Sequence, residues 1–279
     1  MALETVKACC IDETDEPTYR LSRDLIAAAR LMTKDEIRYL VDGYYQMQEH
    51  RKGSANQLRA LSAQGEPSMV VDWLVGKNLY LEGQIKRALD AWTDADAVSI
   101  WAKSLVGVGP VIAAGLRAHI DMNRAPTVGH IWRFAGYDPT VAWNKGEKRP
   151  WNASLKTLCW KVGQSFMKFR NHPNDYYGGL YYVRKQSEIV ANDGGKFADQ
   201  AAIKLLKVGK STEAYKYYKE GKLPPAHIDA RARRWVVKLF LSHWHHVAHE
   251  VEFGRPPARP YVFDHLGHVD IMPPPNWPM

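Results

Sequence analysis

Apolar residues between Thr33 and Trp92 recur at the three- and four-residue spacing of amphipathic helices. Thr33, with Glu36 three positions later, matches a capping box and predicts where the first helix begins. The first apolar series comprises Ile37, Leu40, Val41, Tyr44, Tyr45, Met47, Leu58 and Leu61, and the second comprises Val70, Leu74, Leu79, Leu81, Ile85, Leu89 and Trp92. Gly65-Glu66-Pro67 separates the two series, so residues 33–98 are predicted to form a long antiparallel helical hairpin.

The apolar stripes of such a hairpin need a surface to pack against, and two are available. A second copy of the chain would cover them in a coiled-coil-like assembly. The remainder of the same chain would cover them equally well. We expect a homodimer or higher oligomer formed through the hairpin, with packing inside one chain as the alternative.

Helical periodicity continues beyond the hairpin, and no alternating apolar pattern is long enough for a β-sheet. The predicted fold class is therefore all-α. Further helices are predicted at 101–105, at 110–120, from Thr127 to Gly136, from Asn152 or Ser154 onward, after Pro173, in two short pieces within a loop-like stretch over 192–225, and from His227 to Gly254. The predicted organisation is an N-terminal tail over 1–32, the hairpin over 33–98, a basic helical domain over 99–255 and a proline-rich tail over 256–279.

Length and composition suit one large domain or two modest ones, since the chain has 279 residues and 46% of them are hydrophobic. Its three cysteines show neither a disulfide framework nor zinc-ligand spacing, which is typical of an intracellular protein. No apolar run approaches the length of a membrane span, and the N-terminus lacks the apolar core of a signal peptide. We expect a soluble cytoplasmic protein, associated with the nucleoid, that has no membrane partner and needs no cofactor or metal.

The net charge of +8 is unevenly distributed along the chain. Residues 1–98 contain 12 basic and 16 acidic side chains, whereas residues 99–255 contain 25 basic and 12 acidic ones. Residues 256–279 contain one basic and two acidic side chains. A basic excess confined to one block indicates a polyanionic partner for that block, and charge that serves solubility alone is the alternative.

The segment SLVGVGPVIAAGLRAHI, residues 104–120, predicts a tight corner between two helices. Gly107 can take a positive φ, Gly109 leaves its backbone open to close approach, and Pro110 suits the first position of a helix. This is the helix-hairpin-helix pattern, in which backbone N–H groups at a helix start hold a nucleic-acid phosphate. The candidate phosphate-binding residues are Lys103, Gly107, Val108, Gly109, Val111 and Arg117. A purely structural end and restart of a helix is the alternative.

Basic and aromatic residues alternate after the corner. Trp143 and Trp151 flank Lys145, Lys148 and Arg149 in one loop, and Lys156 follows it. Such a loop suits backbone contact or stacking on unpaired bases, or else its tryptophans anchor a surface loop to the domain. A second basic group, formed by Arg231, Arg233 and Arg234, opens the last helix as either another phosphate-binding face or a solvated one.

Two further patterns are rejected as functional sites. The histidines of SHWHHVAHE share helix faces in pairs, His245 with His249 and His246 with Glu250, but no further ligand cluster accompanies them. The segment KVGKST at 207–212 lacks the glycine that a phosphate-binding P-loop needs five positions before Gly209. Neither a metal site nor a P-loop is predicted.

Five segments occur in a distinctive order: SLVGVGPVIAAGLRAHI, IWRFAGYDP, WNASLKTLCWKVGQSFMKF, YYGGLYYVRK and GKLPPAHIDARARRWVVKLFLSHWHHV. This order, over roughly residues 35–255, resembles the C-terminal half of the DEDD-type insertion-sequence transposases, which include the Piv-like DNA invertases. Members of that family are mobile-element recombinases, and some are guided by a structured RNA. They carry an N-terminal RNase-H-like domain with four acidic metal ligands, then a coiled-coil hairpin used in assembly, then this C-terminal domain. The resemblance implies DNA binding, DNA recombination and assembly.

The chain departs from the family pattern in two places. Only about 34 residues precede the hairpin, so we expect the RNase-H-like domain and its acidic ligands to be absent. The family has a serine implicated in strand exchange just after the segment matching AGYDP, but this chain reads TVAWNKGEKRPW there. Thr140 is the only side-chain hydroxyl in that stretch, and Ser154 lies in the following helix. These two residues are the only candidates for a catalytic role.

The sequence as a whole favours a non-catalytic DNA-binding protein derived from a transposase C-terminal domain. It would grip the phosphate backbone largely without reading base sequence, and RNA remains open as the nucleic acid. One alternative is a recombinase, or a recombinase subunit, that borrows a metal-binding domain from another chain. The other is a structural or protein-interaction component in which the hairpin is the functional part.

Overall fold

Every regular element in the described part of the chain is helical, which confirms the predicted all-α fold class. The computed structural model describes residues 20–66, 68–258 and 272–278. The α-helices are α1 (Arg23–Ala29), α2 (Lys34–Ala63), α3 (Met69–Thr93), α4 (Ala97–Lys103), α5 (Pro110–His119), α6 (Val128–Phe134), α7 (Ala153–Phe169), α8 (Tyr177–Asp193), α9 (Ala198–Leu205), α10 (Glu213–Lys219) and α11 (Pro225–Phe253), and a 3₁₀ helix covers Met122–Arg124. None of these helices is both long and apolar enough to cross a membrane. The chain divides into two compact units, Met1–Asp96 and Ala97–Met279.

The first unit is built on the packing of α2 against α3. Helix α2 begins with the predicted capping box, in which Thr33 Oγ1 accepts from the Glu36 N–H at 3.3 Å and Glu36 Oε2 accepts from the Thr33 N–H at 2.7 Å. Between the helices, Arg51 Nε lies 2.6 Å from Oε1 of Glu82. Glu82 is only 5% exposed, and a carboxylate so buried needs a cationic partner. The pair therefore helps to fix the alignment of α2 with α3.

Helix α1 corrects the prediction of a tail over residues 1–32. The Ser22 side chain accepts from the Leu25 N–H at 3.2 Å and caps the helix, which packs on α3. Ala29 is buried in a cluster with Ala88 and Ala91. A seven-residue helix spans only two turns, too few for apolar periodicity to reveal it. The part of the predicted tail before residue 20 lies outside the described residues.

The second unit is organised around α11, which packs against α4, α6, α7, α8 and the 3₁₀ helix. Its side chains Phe240 and Trp244 are fully buried. Phe240 meets Phe166 of α7 and Tyr177 of α8, with ring centroids 5.4 Å apart in both pairs. Phe166 and Tyr177 stack at 4.7 Å. This aromatic cluster joins three helices at the centre of the unit, because large rings bury much apolar area in little chain length.

Two histidines of α11 are hydrogen-bonded inside the same unit. His243 Nδ1 lies 2.7 Å from the Tyr177 hydroxyl, and its Nε2 donates to the Met272 carbonyl at 2.9 Å. His245 Nε2 donates to the Ala125 carbonyl at 2.9 Å. Burial lowers the pKa of both imidazoles to about 4, so both are neutral at pH 7.

Part of the predicted proline-rich tail over 256–279 is packed against the second unit. Trp101 Nε1 donates to the Pro275 carbonyl at 2.7 Å, and Trp277 Nε1 donates to Glu250 Oε2 at 2.6 Å. The Met272 carbonyl accepts from His243 as described above. Two indole donors and a buried imidazole thus hold residues 272–278, while residues 259–271 and 279 lie outside the described part.

We expect stability to fall as the pH drops from about 6.5 to about 4. The unfolded chain binds a proton at each histidine near pH 6.5, whereas folded His243 and His245 resist protonation down to about pH 4. Each should remove on the order of 2 kcal/mol from the free energy of unfolding by pH 5. Urea denaturation at pH 7.5, 6 and 5 measures this loss. A His245→Gln variant should show a shallower decline, and equal stability of the parent protein at pH 7.5 and 5 would contradict the assignment.

Candidate nucleic-acid interface

The corner between α4 and α5 has the backbone geometry of a tight helix-to-helix turn. Gly107 has φ +92°, in the left-handed region that favours glycine. The Val108 N–H donates to the Leu105 carbonyl at 3.0 Å and closes the turn. Gly109 follows in an extended conformation as the N-cap of α5, and Pro110 occupies its first position. The chain therefore reverses within six residues and restarts a helix.

Helix α7 holds this corner in place. Ser165 Oγ donates to the Gly107 carbonyl at 2.6 Å. A Cβ added at Gly107 would lie 3.2 Å from Cδ1 of Phe166, which belongs to the aromatic cluster of the core. Ser165 could not be predicted as part of the corner, because no local pattern relates a serine inside α7 to a glycine 58 positions earlier.

The start of α5 presents backbone donors that no group in the described part of the chain accepts. Its N-cap, Gly109, has no side chain to cap the helix, and the N–H groups of Gly109, Val111 and Ile112 have no acceptor there. A Cβ built at Gly109 would meet nothing within 4 Å. Because the helix dipole adds partial positive charge at this end, the geometry suits an anion.

The candidate residues of the corner contribute unequally. The side chains of Val108 and Val111 are buried, and the Val108 N–H is already bonded within the turn. Val111 therefore offers only its backbone N–H. Lys103 ends α4, just before the turn. Arg117 lies about 10 Å along α5 from Pro110, and its Nη1 is 2.5 Å from Glu252 Oε1, so it is tied to α11 and not to the corner.

The loop between α6 and α7 is held together by its own aromatic residues. Trp143 and Trp151 meet edge to face, with ring centroids 5.9 Å apart. Trp143 Nε1 donates to the Glu147 carbonyl at 2.9 Å, and the Arg149 guanidinium lies 5.8 Å from the Trp143 ring. Trp143 and Trp151 thus hold the loop together through contacts within it. Three cationic residues of the loop are exposed: Lys145, Lys148 and Arg149.

Lys156 follows this loop, in α7, and its side chain packs against the turn at Gly136. Gly136 has φ +68° and ends α6, and Lys156 Nζ is 3.6 Å from the centroid of the Trp151 ring. A Cβ at Gly136 would lie 2.9 Å from Lys156 Cδ and from Trp151 Cγ. The missing side chain at Gly136 therefore makes room for the lysine stem. Lys156 also lines a cavity of about 280 Å³ between the end of α6 and helices α7 and α11.

The three arginines of α11 have different partners. Arg231 Nε donates to Glu188 Oε2 at 2.7 Å, and its guanidinium lies 4.2 Å from the Phe197 ring. Glu188 is 4% exposed and also binds Arg184, so Arg231 belongs to a buried ion-pair network. Arg233 Nε lies 2.7 Å from Asp229 Oδ2. Arg234 is exposed and has no carboxylate partner in the described part of the chain.

The two candidate hydroxyls lack the partners that nucleophilic catalysis needs. Thr140 Oγ1 donates to Asp138 Oδ1 at 2.7 Å. Hydrogen bonds from the Thr140 side chain and backbone lower the pKa of Asp138, which makes its carboxylate a weak base. Ser154 lies exposed in the first turn of α7, with no hydrogen-bond partner among the described residues.

The histidines of α11 are occupied by structural hydrogen bonds. His249 Nδ1 donates to the Arg255 carbonyl at 2.8 Å, and His246 Nε2 lies 3.1 Å from Glu250 Oε1. His245 donates to Ala125, as described for the core. Across residues 20–66, 68–258 and 272–278, no three His, Cys, Asp or Glu side chains converge in a way that would hold a metal ion.

Two single substitutions test the corner: one at Gly107, which packs against α7, and one at Gly109, where a side chain would meet nothing. We expect Gly107→Ala to lower the free energy of unfolding by about 2 kcal/mol, because alanine is strained at φ +92° and its Cβ crowds Phe166. Gly109→Ala should cost less than about 1 kcal/mol, the difference between glycine and alanine as N-caps. Urea denaturation of both variants measures the difference. Equal losses would mean that the corner is not held as described.

Comparison with known proteins assigns no family to this arrangement. No protein-family model matches the chain, and neither the curated proteins nor the solved structures contain a significant match to it. The resemblance to the transposase C-terminal half stays a prediction. The observations that bear on function are the corner between α4 and α5, the exposed cations and the uneven distribution of charge.

Proposed function

We propose that this protein binds DNA through the corner between α4 and α5, gripping the sugar-phosphate backbone without reading base sequence. The observation that carries the proposal is the start of α5. There, the N–H groups of Gly109, Val111 and Ile112 lack acceptors, and the open position at Gly109 lets another backbone approach closely. Backbone amides recognise phosphate oxygens equally well beside any base, which is why sequence readout is not expected.

The charge of the second unit supports the same proposal. Residues 99–255 carry 25 basic and 12 acidic side chains. Because the basic residues outnumber the acidic ones by 13, they remain in excess even if every acid is paired with one of them. Lys145, Lys148, Arg149 and Arg234 are exposed. Such residues attract a polyanion and release its counterions on binding.

The proposed activity is binding without strand cleavage. Thr140 faces a weakly basic carboxylate, and Ser154 has no base beside it. The resemblance to transposase C-terminal domains is consistent with a DNA-binding part of such an enzyme, with any metal-dependent chemistry supplied by another domain or chain.

Salt dependence tests the proposed DNA binding. Affinity for a short duplex, measured by fluorescence anisotropy, should fall at least about tenfold between about 50 and about 200 mM salt, because bound counterions are released. Gly109→Val should weaken binding about tenfold, since its methyl groups block close approach to the amides. Gly209→Val, in the exposed loop before α10, is the matched control and should bind normally. Salt-independent binding, or no retention of duplex, single-stranded or branched DNA, would refute the proposal.

A second role is favoured by the surface of α3. Met69, Val70, Trp73 and Leu74 are exposed although apolar, and they share one face of the helix at i, i+1, i+4 and i+5 spacing. Met69 is 85% exposed and Trp73 is 61% exposed. Contiguous exposed apolar residues of this kind mark protein-protein contacts. We propose that this stripe joins copies of the chain into a homodimer or higher oligomer.

The stripe can be tested through the oligomeric state. Trp73→Glu places a charge in the middle of the proposed contact and should shift the protein towards monomer in light scattering coupled to gel filtration. Leu206→Glu is the matched control, because Leu206 is a highly exposed apolar residue on the second unit and should not affect assembly. A monomeric parent protein, or an unchanged oligomer in the Trp73 variant, would contradict the role.

A further inference from the structure

A cavity of about 280 Å³ gathers cationic side chains from distant parts of the second unit. Lys156 comes from α7, Arg233 and Arg234 come from α11, and Tyr137 comes from the turn after α6. In the sequence, Lys156 follows the basic loop and the arginines lie on a separate helix, and no local pattern distinguishes Tyr137. Only the packing of α7 against α11 brings the four residues around one space.

The positive charge around this cavity is incompletely neutralised. Asp229 pairs with the lining residue Arg233, and it is shared with Lys185 and the Tyr181 hydroxyl. Arg233 Nε is buried and lies 2.7 Å from Asp229 Oδ2, but the direction of its N–H does not meet hydrogen-bond geometry. Among the described residues, no carboxylate acts on Lys156, and the only one that acts on Arg234 is Glu188, which is already paired with Arg184 and Arg231. An anion in the cavity would therefore relieve repulsion.

The same repulsion is visible in the pKa values of the lining groups. Burial lowers the pKa of Lys156, and the neighbouring Arg149 and Arg234 lower it further. Burial likewise lowers the pKa of Arg234, with Arg231 as the next cause. Cationic groups that are partly withdrawn from water and close to one another are stabilised by a shared anion.

The cavity is closed at its floor by buried residues of α7 and α11. Cys159 and Val237 are almost fully buried, and a Cβ at Gly163 would lie only 3.0 Å from Val237 Cγ2 because the helices approach closely there. Burial raises the pKa of the Cys159 thiol to about 12, so the thiol stays protonated and is not a nucleophile.

We propose that this cavity binds a phosphomonoester group, with Lys156, Arg233 and Arg234 as charged donors and the Tyr137 hydroxyl as a neutral one. A phosphomonoester carries close to two negative charges at pH 7 and offers three terminal oxygens, whereas an internal phosphodiester carries one charge. Arginine forks match those oxygens. Trp160 lines the same cavity and offers an aromatic surface to the attached group. That this phosphate stands at the end of a DNA strand rests on the proposed function.

The experiment compares oligonucleotides that differ only at their ends. Identical duplexes with a 5′-phosphate, a 3′-phosphate or hydroxyl ends are titrated by fluorescence anisotropy. One of the phosphorylated duplexes should bind about tenfold tighter than the hydroxyl duplex, the gain expected from a charge-assisted contact. In Lys156→Gln/Arg234→Gln this preference should disappear. Lys145→Gln/Lys148→Gln removes the same charge from the exposed loop and should keep the preference while weakening all three affinities.

Inorganic phosphate, titrated calorimetrically, tests the cavity independently of DNA. Phosphate binding by the parent protein and its loss in Lys156→Gln/Arg234→Gln support the cavity even if no oligonucleotide binds, in which case only the proposed function fails. Equal affinity for all duplex ends, together with no phosphate binding, overturns the cavity and leaves the proposed function standing. Thermal unfolding checks that the variant folds, because it removes the contact of Lys156 with Trp151 as well as the repulsion. If it does not fold, Lys156→Gln alone takes its place.

Discussion

The contact between Gly107 and Phe166 is the constraint on which the corner depends. Phe166 belongs to the aromatic cluster that joins α7, α8 and α11, and it leaves too little room for a side chain at position 107. Ser165, one residue earlier, binds the Gly107 carbonyl. The corner is thus fixed to the most buried part of the unit from one side. On its other side, a Cβ at Gly109 would meet nothing within 4 Å, so the packed core fixes the direction of amides that lack acceptors among the described residues.

In the second unit, two carboxylates of α8 and α11 form ion pairs with specific arginines. Glu188 is buried between Arg184 and Arg231, and Glu252 holds Arg117. These pairs stabilise the contacts of α11 and withdraw two candidate phosphate-binding arginines from that role. Of the candidate phosphate-binding cations, Lys145, Lys148, Arg149 and Arg234 remain exposed. Position in the fold, and not residue type, therefore separates the ion-paired arginines from the exposed one.

Much of the fold could be predicted because its determinants are local. The capping box of Thr33 and Glu36, the proline that starts α5 and the left-handed Gly254 that ends α11 are each recognisable within a few residues. Long helices also repeat their apolar pattern over many turns. Helix α1 was missed because it is short. The partners that hold residues 272–278 could not be predicted, because Trp101, Glu250 and His243 are distant in the sequence.

The sequence by itself determined the helical class, the strained glycine corner and the block of basic charge, because each follows from neighbouring residues or from composition. Only the tertiary structure decided which of those charges are available. Arg117 and Arg231 are paired, Arg234 is exposed, and Lys156 meets two arginines from a helix about 80 residues later. Ion pairs and cavities form between segments that are distant in the chain, and no local spacing rule records which segments will meet.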